Sequence, residues 1–210
     1  MRQKNNMKKY KLNLNCKKEV FGITLFQIEA EISFGSITKG DKGGYIEKER
    51  NLSQENNAWV YGNASVYGNA SVYGDARVYG NAWVYGDARV YGDAQVYGNA
   101  WVYGDARVYG NAWVYGDAQV YGDARVYGNA WVYGDARVEN NKECISTTLP
   151  FKHSITLTKN HIQVGCELHT IEHWSKNIRL IGEKNNYSKN EIDAMILILK
   201  GMLKMRKAKQ

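Results

Sequence analysis

The chain has 210 residues, 44% of them hydrophobic, and its 28 Lys and Arg against 21 Asp and Glu give a net charge of +7. This length fits one domain with appendages, and no apolar segment is long enough to cross a membrane. Three widely spaced cysteines, Cys16, Cys144 and Cys166, and an N-terminus without an apolar signal segment exclude a secreted disulfide scaffold, so we expect a cytoplasmic protein with reduced thiols.

The positive charge is unevenly distributed along the chain. Residues 1–56 hold 11 basic and 7 acidic side chains, residues 57–139 hold 5 and 8, and residues 140–210 hold 12 and 6. The middle of the chain is therefore slightly acidic and lies between two basic flanks. Nucleic-acid-binding domains usually concentrate basic residues on one face, so this distribution does not favour nucleic acid as the partner.

Residues 1–56 are predicted to form a small β cap that ends in an irregular first coil of the repeat described below. The segments YKLNLN and GITLFQIEAEI alternate as strands do, and a cap of this kind protects the open strand edges of a repeat structure. Ile46, Leu52 and Val60 then recur at nearly six-residue intervals. The glycine cluster between residues 40 and 44 matches no phosphate-binding loop, because no Gly-Lys pair there is followed by Ser or Thr.

Residues 57–139 repeat one six-residue motif: Asn or Asp, Ala, a variable residue, Val, Tyr and Gly. A period of six fits neither an α-helix nor an uninterrupted strand, but it fits a short strand followed by a two-residue corner. Gly with Asn or Asp favours such corners, because these residues tolerate positive φ. Side chains alternate along a strand, so Ala and Val are predicted to form the core while the variable residue and Tyr face water.

Three such strands close a triangle, so eighteen residues form one coil and successive coils stack as parallel strands about 4.8 Å apart. The abundance of Val and Tyr argues against a disordered low-complexity tract. The array resembles the hexapeptide-repeat family, whose motif has an aliphatic residue first and a small residue four positions later; pairs from Val60 and Ala64 to Val132 and Ala136 fill these positions. The resemblance implies a mainly β fold, a left-handed parallel β-helix, here with a small N-terminal β cap and a C-terminal α+β module.

The eighteen-residue period assigns the variable positions to three outer columns, and a Tyr stands beside each position. Two columns contain the tryptophans, and the third contains Arg89, Arg107 and Arg125. Two interpretations of these faces remain open: the rings and guanidinium groups stabilise the coils by stacking, or they form a platform for a ligand. An Asp precedes each Arg of the third column by two residues, and ion pairs with it would cancel the charge of the column. These aspartates are Asp87, Asp105 and Asp123.

Residues 140–210 lose the repeat and are predicted to form an α+β module that ends in an amphipathic helix. HSITLTKNHIQVGCEL indicates two short strands around a Lys-Asn turn, and TIEHWSKNIRLIGEKNN is predicted to begin as a helix. Ser188 and Glu191 form a capping box for the last helix. The apolar stripe of that helix is predicted to pack on the end of the β-helix or on another subunit. The stripe consists of Ile192, Met195, Ile196, Leu199, Met202 and Leu203.

Both flanks together resemble a group of phage and prophage proteins. The segments that carry this resemblance are GITLFQIEA…GDKGGYIEKERNLS before the repeats and ITLTKNHIQVGCELHTIEHW after them. The resemblance implies a phage or prophage origin and a place of action inside the host cell, but it implies no particular activity.

Most named hexapeptide-repeat enzymes are acyltransferases that use acyl-CoA or acyl-carrier protein, with a His between coils as general base. Residues 57–139 contain no His, no Cys and no insertion. We therefore expect a protein that is not an enzyme and that uses no catalytic residue and no cofactor. An acyl-CoA-dependent acyltransferase is the alternative, because a fold alone does not determine function.

The four histidines of the chain all follow the repeat, and three of them lie close to a cysteine in sequence. The group His161, Cys166, His169 and His173 includes a His-x3-His spacing that is typical of zinc ligands. Only one Cys lies beside these histidines, so we interpret Cys166 as a buried residue and the histidines as partly exposed neighbours of Trp174. We therefore expect no metal.

These patterns favour a non-enzymatic scaffold that binds a host or phage protein, with inhibition of a host defence or nucleic-acid-handling complex as the specific hypothesis. The alternative ligand is a nucleotide or a carbohydrate on the aromatic columns. The C-terminal module is expected to give specificity, because binding sites combine an aromatic anchor with charged and polar neighbours. We also expect a homo-oligomer through the β-helix or the last helix, and no membrane partner. The candidate partner-binding residues are His169, His173, Trp174, Arg89, Arg107 and Arg125.

Overall fold

A computed structural model describes residues 7–139, 145–148, 153–158, 160–165 and 167–208. These residues form an N-terminal β cap, a long array of two-residue strands, and a C-terminal module of short strands and two helices. Neither helix in these ranges is long and apolar enough to cross a membrane.

The cap is an antiparallel sheet of β1 (Tyr10–Val20), β2 (Ile23–Ala30) and β3 (Lys42–Ile46), followed by a 3-10 helix (Glu49–Asn51). Strand β3 also pairs in parallel with the second strand of the repeat, Ser65–Val66, since Ile46 lies beside Val66. The cap and the repeat therefore share one continuous sheet.

One two-residue strand forms in each hexapeptide. These strands are β4 (Trp59–Val60), β5 (Ser65–Val66), β6 (Ser71–Val72), β7 (Arg77–Val78), β8 (Trp83–Val84), β9 (Arg89–Val90), β10 (Gln95–Val96), β11 (Trp101–Val102), β12 (Arg107–Val108), β13 (Trp113–Val114), β14 (Gln119–Val120), β15 (Arg125–Val126), β16 (Trp131–Val132) and β17 (Arg137–Val138). Each strand from β4 to β14 pairs in parallel with the strand three hexapeptides later, which produces three sheets along the coils. The predicted β-solenoid with an eighteen-residue spacing is thereby confirmed.

Ala and Val fill the interior of the coils, as the alternation predicts. Every Ala and Val of the motif from Ala58 to Val138 is at most 2% exposed, and together they form one hydrophobic cluster with the cap. Backbone hydrogen bonds join each coil to the next; for example, the Arg89 amide donates to the Ala106 carbonyl at 2.9 Å. Each coil is therefore held by nearly identical neighbours on both sides.

The corners use glycine for two reasons. Gly98 has a φ of 70°, a conformation that residues with a Cβ rarely adopt. A Cβ at this position would also lie 2.9 Å from the backbone nitrogen of Gly116, the equivalent corner of the next coil. Only the glycine of each corner, and not the Asn or Asp after it, adopts positive φ. The Asn or Asp links coils instead, as where the Asn99 amide donates to the Asp117 carboxylate at 3.0 Å.

The expectation that every variable residue faces water is wrong in the first coil. Trp59 and Ser65 are 1% and 0% exposed because the cap covers them. The ring centroids of Tyr10 and Phe34, both from the cap, lie 6.0 Å and 5.4 Å from that of Trp59 in edge-to-face contacts. The cap thus closes the end of the solenoid with aromatic packing.

The C-terminal module combines an antiparallel sheet with two helices, α1 (Ile171–Lys184) and α2 (Lys189–Ala208). The sheet runs in chain order through β18 (Ile145–Thr148), β19 (Ser154–Leu157), β20 (His161–Val164) and β21 (Glu167–Thr170). The sequence predicts β19, β20 and both helices but not β18 or β21. The capping box forms as predicted: the Glu191 carboxylate accepts from the Ser188 amide at 2.7 Å.

The apolar stripe of α2 packs inside its own module. Met195 and Leu199 are buried in a second hydrophobic cluster with Ile155 and Leu157 of the sheet and with Trp174 of α1. The predicted packing of this stripe on the β-solenoid or on another subunit is therefore wrong. The module has a core of its own, separate from the core of the coils.

Candidate functional site

The arginine column lies on the sheet formed by β6, β9, β12 and β15. Arg89, Arg107 and Arg125 are directly paired neighbours in this parallel sheet, so their Cα atoms follow one another at roughly the 4.8 Å strand spacing. Arg89 and Arg125 are exposed and Arg107 is half-buried. The structure thus brings the three predicted arginines together in one row on the surface.

The expected ion pairs with the neighbouring aspartates do not form. Within the part of the chain that the structure describes, no ion pair joins these arginines to a carboxylate. Asp87 instead accepts a hydrogen bond from the Asn69 amide of the preceding coil at 3.0 Å. Asp87 is thus engaged along the solenoid axis, and among the described residues no carboxylate occupies the guanidinium groups of Arg89, Arg107 and Arg125, which are available to another molecule.

A ladder of tyrosines runs beside the arginine column. The rings of Tyr73, Tyr91 and Tyr109 stack with centroid distances of 4.8 Å and 4.9 Å and interplanar angles of 2° and 1°. Burial raises the pKa of Tyr73, and the ionised state of Tyr91 beside it would raise it further, whereas the positive charges of Arg89 and Arg107 lower it. Each ring therefore covers the face of its neighbour and presents its edge and hydroxyl to the surface.

Two pairs of tryptophans on the other two faces are stacked in the same way as the tyrosine rings. Trp83 and Trp101 have ring centroids 5.5 Å apart at an angle of 13°, and Trp113 and Trp131 are 5.2 Å apart at 11°. A base or sugar that binds by stacking needs an open ring face. In these columns the inner ring faces are occupied by the neighbouring coils.

Trp174 is a core residue of the C-terminal module and not the exposed anchor that the sequence analysis expects. It is 2% exposed, and its indole nitrogen donates to the Ile162 carbonyl at 2.6 Å. Its ring packs between the sheet and both helices. The signal that suggested an anchor, an aromatic residue among histidines, also fits a core residue whose one polar atom is satisfied.

His169 and His173 do lie together on the surface of the module. Their rings stack with centroids 4.4 Å apart, and the His169 Nε2 atom lies 2.7 Å from the Glu167 carboxylate. Hydrogen bonds from Asn185 and His169 lower the pKa of Glu167. The negative charge of Glu167 therefore fixes the ring of His169, while His173 remains exposed.

These histidines line a groove at the junction between the last coil and the module, which we call the junction groove. Its volume is about 270 Å³, and its lining residues are Asp135, His161, Leu168, His169, Thr170 and His173. The hydroxyl of Tyr133, beside it on the last coil, donates to the Gly165 carbonyl at 3.0 Å and ties the coil to the module. The groove offers imidazole, hydroxyl and carboxylate groups to a polar partner.

The sequence did not single out Asp135, Leu168 or Thr170 for this groove. Asp135 occupies the same motif position as every other corner residue, and only its place in the last coil makes it part of a site. Leu168 and Thr170 lie on β21, the strand that the periodicity did not reveal. No sequence pattern distinguishes them.

A metal site finds no support in the described ranges, where no three His, Cys, Asp or Glu side chains are grouped closely enough to hold an ion. Cys166, one of the four predicted ligands, lies outside the described residues, as does Cys144. The structure places the other three, His161, His169 and His173, around the junction groove.

Comparison with known proteins identifies the repeat alone. A family model described as the YdcK β-solenoid repeat matches residues 70–86, 82–98, 94–106, 100–116 and 118–134. These segments lie within the coils and include neither the cap nor the C-terminal module. No curated protein sequence is significantly similar to the chain. The coils are therefore similar to a known β-solenoid repeat, and this similarity carries no information on function.

Proposed function

We propose that this chain is a non-enzymatic binding scaffold of phage or prophage origin that acts inside the host cell. Its coils would form a left-handed β-helix, as the hexapeptide motif implies. The arginine column would bind an acidic surface of a host protein, and the junction groove would give the complex its specificity. A component of a host defence or nucleic-acid-handling complex is the target class that the resemblance to phage proteins suggests.

The observation that carries this proposal is the row of three arginines without an ion pair in the described structure. Charge-assisted hydrogen bonds from guanidinium to carboxylate are among the stronger polar contacts in proteins. A rigid sheet holds the three side chains at a fixed spacing, so a partner with carboxylates at a similar spacing loses little additional entropy on binding.

The surroundings of the column favour a protein over a nucleic acid. Asp87, Asp105 and Asp123 form a parallel acidic row next to the arginines, and a continuous phosphate backbone would meet that row as well. The neighbouring rings of Tyr91 and Tyr109 are each stacked on both sides and offer no open face to a base. A folded protein can place carboxylates opposite the arginines and basic groups opposite the aspartates.

The test starts with capture of the partner from host lysate by the full-length tagged chain, followed by calorimetry with the purified partner. Changing Arg89, Arg107 and Arg125 together to Ala should weaken binding by at least about tenfold and make it less dependent on salt. The reason is that the acidic groups of the partner would no longer face positive charges. The matched control is Arg77→Ala with Arg137→Ala, two exposed arginines on the other faces.

The junction groove is tested separately with His169→Ala and His173→Ala, which leave the buried Trp174 in place. Binding should be lost while circular dichroism is unchanged. The proposal is contradicted if the arginine control weakens binding as much as the triple variant. It is also contradicted if neither set of variants affects a partner that the chain captures.

A further inference from the structure

Helix α2 has a second apolar face that points away from the core of its module. Leu197 and Met205 on this face are 71% and 52% exposed, and Gly201 between them is exposed as well. With Ala194 they follow the spacing of one helix face, opposite the buried residues Ile192, Met195, Leu199 and Met202. We call the surface formed by Ala194, Leu197, Gly201 and Met205 the outer α2 face.

Gly201 has no function in the packing of its own chain. A Cβ at this position would meet nothing within 4 Å, and the residue lies in the middle of a regular helix. Glycine destabilises a helix interior by about 1 kcal/mol relative to Ala. A glycine that no neighbour requires is explained when the backbone of a second helix approaches it closely.

The distribution of charge along α2 indicates which second helix approaches Gly201. Lys189, Glu191 and Asp193 give the start of the helix a net charge of −1, whereas Lys200 and Lys204 contribute +2 to its second half. A second α2 helix that runs in the opposite direction would place its acidic end beside the basic end of the first. The complementarity is symmetric, so both ends of such a pair are satisfied at the same time.

We propose that a second copy of this chain covers the outer α2 face, in an antiparallel pair of α2 helices related by a twofold axis. Leu197 of each copy packs over Gly201 of the other copy. The same register brings Asp193 of one copy near Lys204 of the other. A single helix pair buries less surface than a typical stable interface, so the dimer forms only with rising protein concentration. This inference does not depend on the proposed function.

Sedimentation equilibrium of the full chain over a range of concentrations tests the dimer. The wild-type chain should shift from monomer to dimer, and Leu197→Glu should move the midpoint to at least about tenfold higher concentration because it places a charge in the apolar contact. Leu180→Glu is the matched control: Leu180 is 66% exposed on α1 and is not one of the residues of the outer α2 face. A chain that stays monomeric up to millimolar concentration overturns the proposal, as does equal weakening by the control.

An exchange of charges tests the antiparallel direction. Asp193→Lys and Lys204→Asp should each weaken the dimer, and the double variant should restore it. Within one chain these residues are eleven positions apart on the same helix, about 16 Å, so restoration cannot arise inside a single copy. Asp193 also forms an ion pair with Arg179 at 2.8 Å in its own chain. Loss of that exposed intrachain pair does not by itself change the monomer–dimer equilibrium. If the double variant fails to restore the dimer, the antiparallel arrangement is wrong.

Discussion

In the coils, each buried Val contacts the same residue type one coil away, whereas in the C-terminal module Trp174 packs against unlike residues from the sheet and both helices. The coils therefore derive their stability from many small and nearly equal contributions between neighbours. The module depends on a few large side chains that come from distant points of the sequence. The two regions should therefore respond differently to the same kind of substitution.

The largest effect is expected from Trp174→Ala in the module. Removal of a buried Trp side chain destabilises a domain by about 3–5 kcal/mol, and here the hydrogen bond to Ile162 is lost as well. Because the module has a core of its own, urea should unfold it first while the β signal of the coils persists in circular dichroism. Trp101→Ala, in a half-buried stacked column, is the control and should cost less. A single common transition in Trp174→Ala would show that the two cores are not independent.

A smaller effect, confined to the coils, is expected from Gly98→Ala. Positive φ costs a residue with a Cβ about 1–2 kcal/mol, and contact with the Gly116 backbone should add about 1–3 kcal/mol of overpacking. Gly128→Ala separates the two causes, because Gly128 has a φ of 65° but no atom within 4 Å of its Cβ position. Urea denaturation should therefore rank Gly98→Ala as clearly more damaging. Equal losses of stability would mean that coil spacing adapts to the methyl group.

The smallest expected effect is a loss of stability of the coils that appears only at high pH. Burial, with a contribution from Tyr85, raises the pKa of Tyr67 to about 12. The unfolded chain has an ordinary tyrosine pKa of about 10, so the unfolded state ionises first. The stability of the coils should be intact below about pH 10 and should fall as the pH rises toward 12. Denaturation at pH 7 and pH 11 measures this loss.

The matched variants for this pH effect are Tyr67→Phe and Tyr127→Phe. Tyr67→Phe should reduce the loss of stability between the two pH values, because it removes one group that ionises more easily in the unfolded state. Tyr127, at the end of its column, is 55% exposed, so Tyr127→Phe is the exposed control and should protect less than Tyr67→Phe. A larger protective effect at Tyr127 would contradict burial as the cause.

Much of the coil structure could be predicted from the sequence because its information is local. The alternation of Ala and Val, the glycine corners and the eighteen-residue period place every residue on a face and in a column, including Arg89 beside Arg107. The burial of Trp59 could not be predicted in this way, since it depends on how Phe34 and the cap fold over the first coil. The periodicity of the sequence predicts the structure in the middle of a repeat array but not at its ends.

The candidate site was only partly predictable, for a related reason. His169, in β21, and His173, in the first turn of α1, are four residues apart, and their proximity follows from the chain itself. Their position against Asp135 follows from how the module meets the last coil, which no local pattern encodes. The same limit explains the wrong prediction for Trp174. The histidines near it in the sequence suggested a binding anchor, whereas its tertiary contacts place it in the core of the module.

The number of residues in the coils also determines how far the end of the solenoid is rotated about its axis relative to its start. Deleting eighteen residues would shorten the solenoid by one coil and leave the junction groove at the same angle to the arginine column. Deleting six residues would turn everything after the deletion by one face of the triangle, about 120°, with almost no change in the core, because each hexapeptide contributes the same Ala and Val. The number of hexapeptides thus sets the angle between the arginine column and the junction groove about the solenoid axis, and insertion or deletion of hexapeptides changes that angle in steps of a third of a turn without altering either surface.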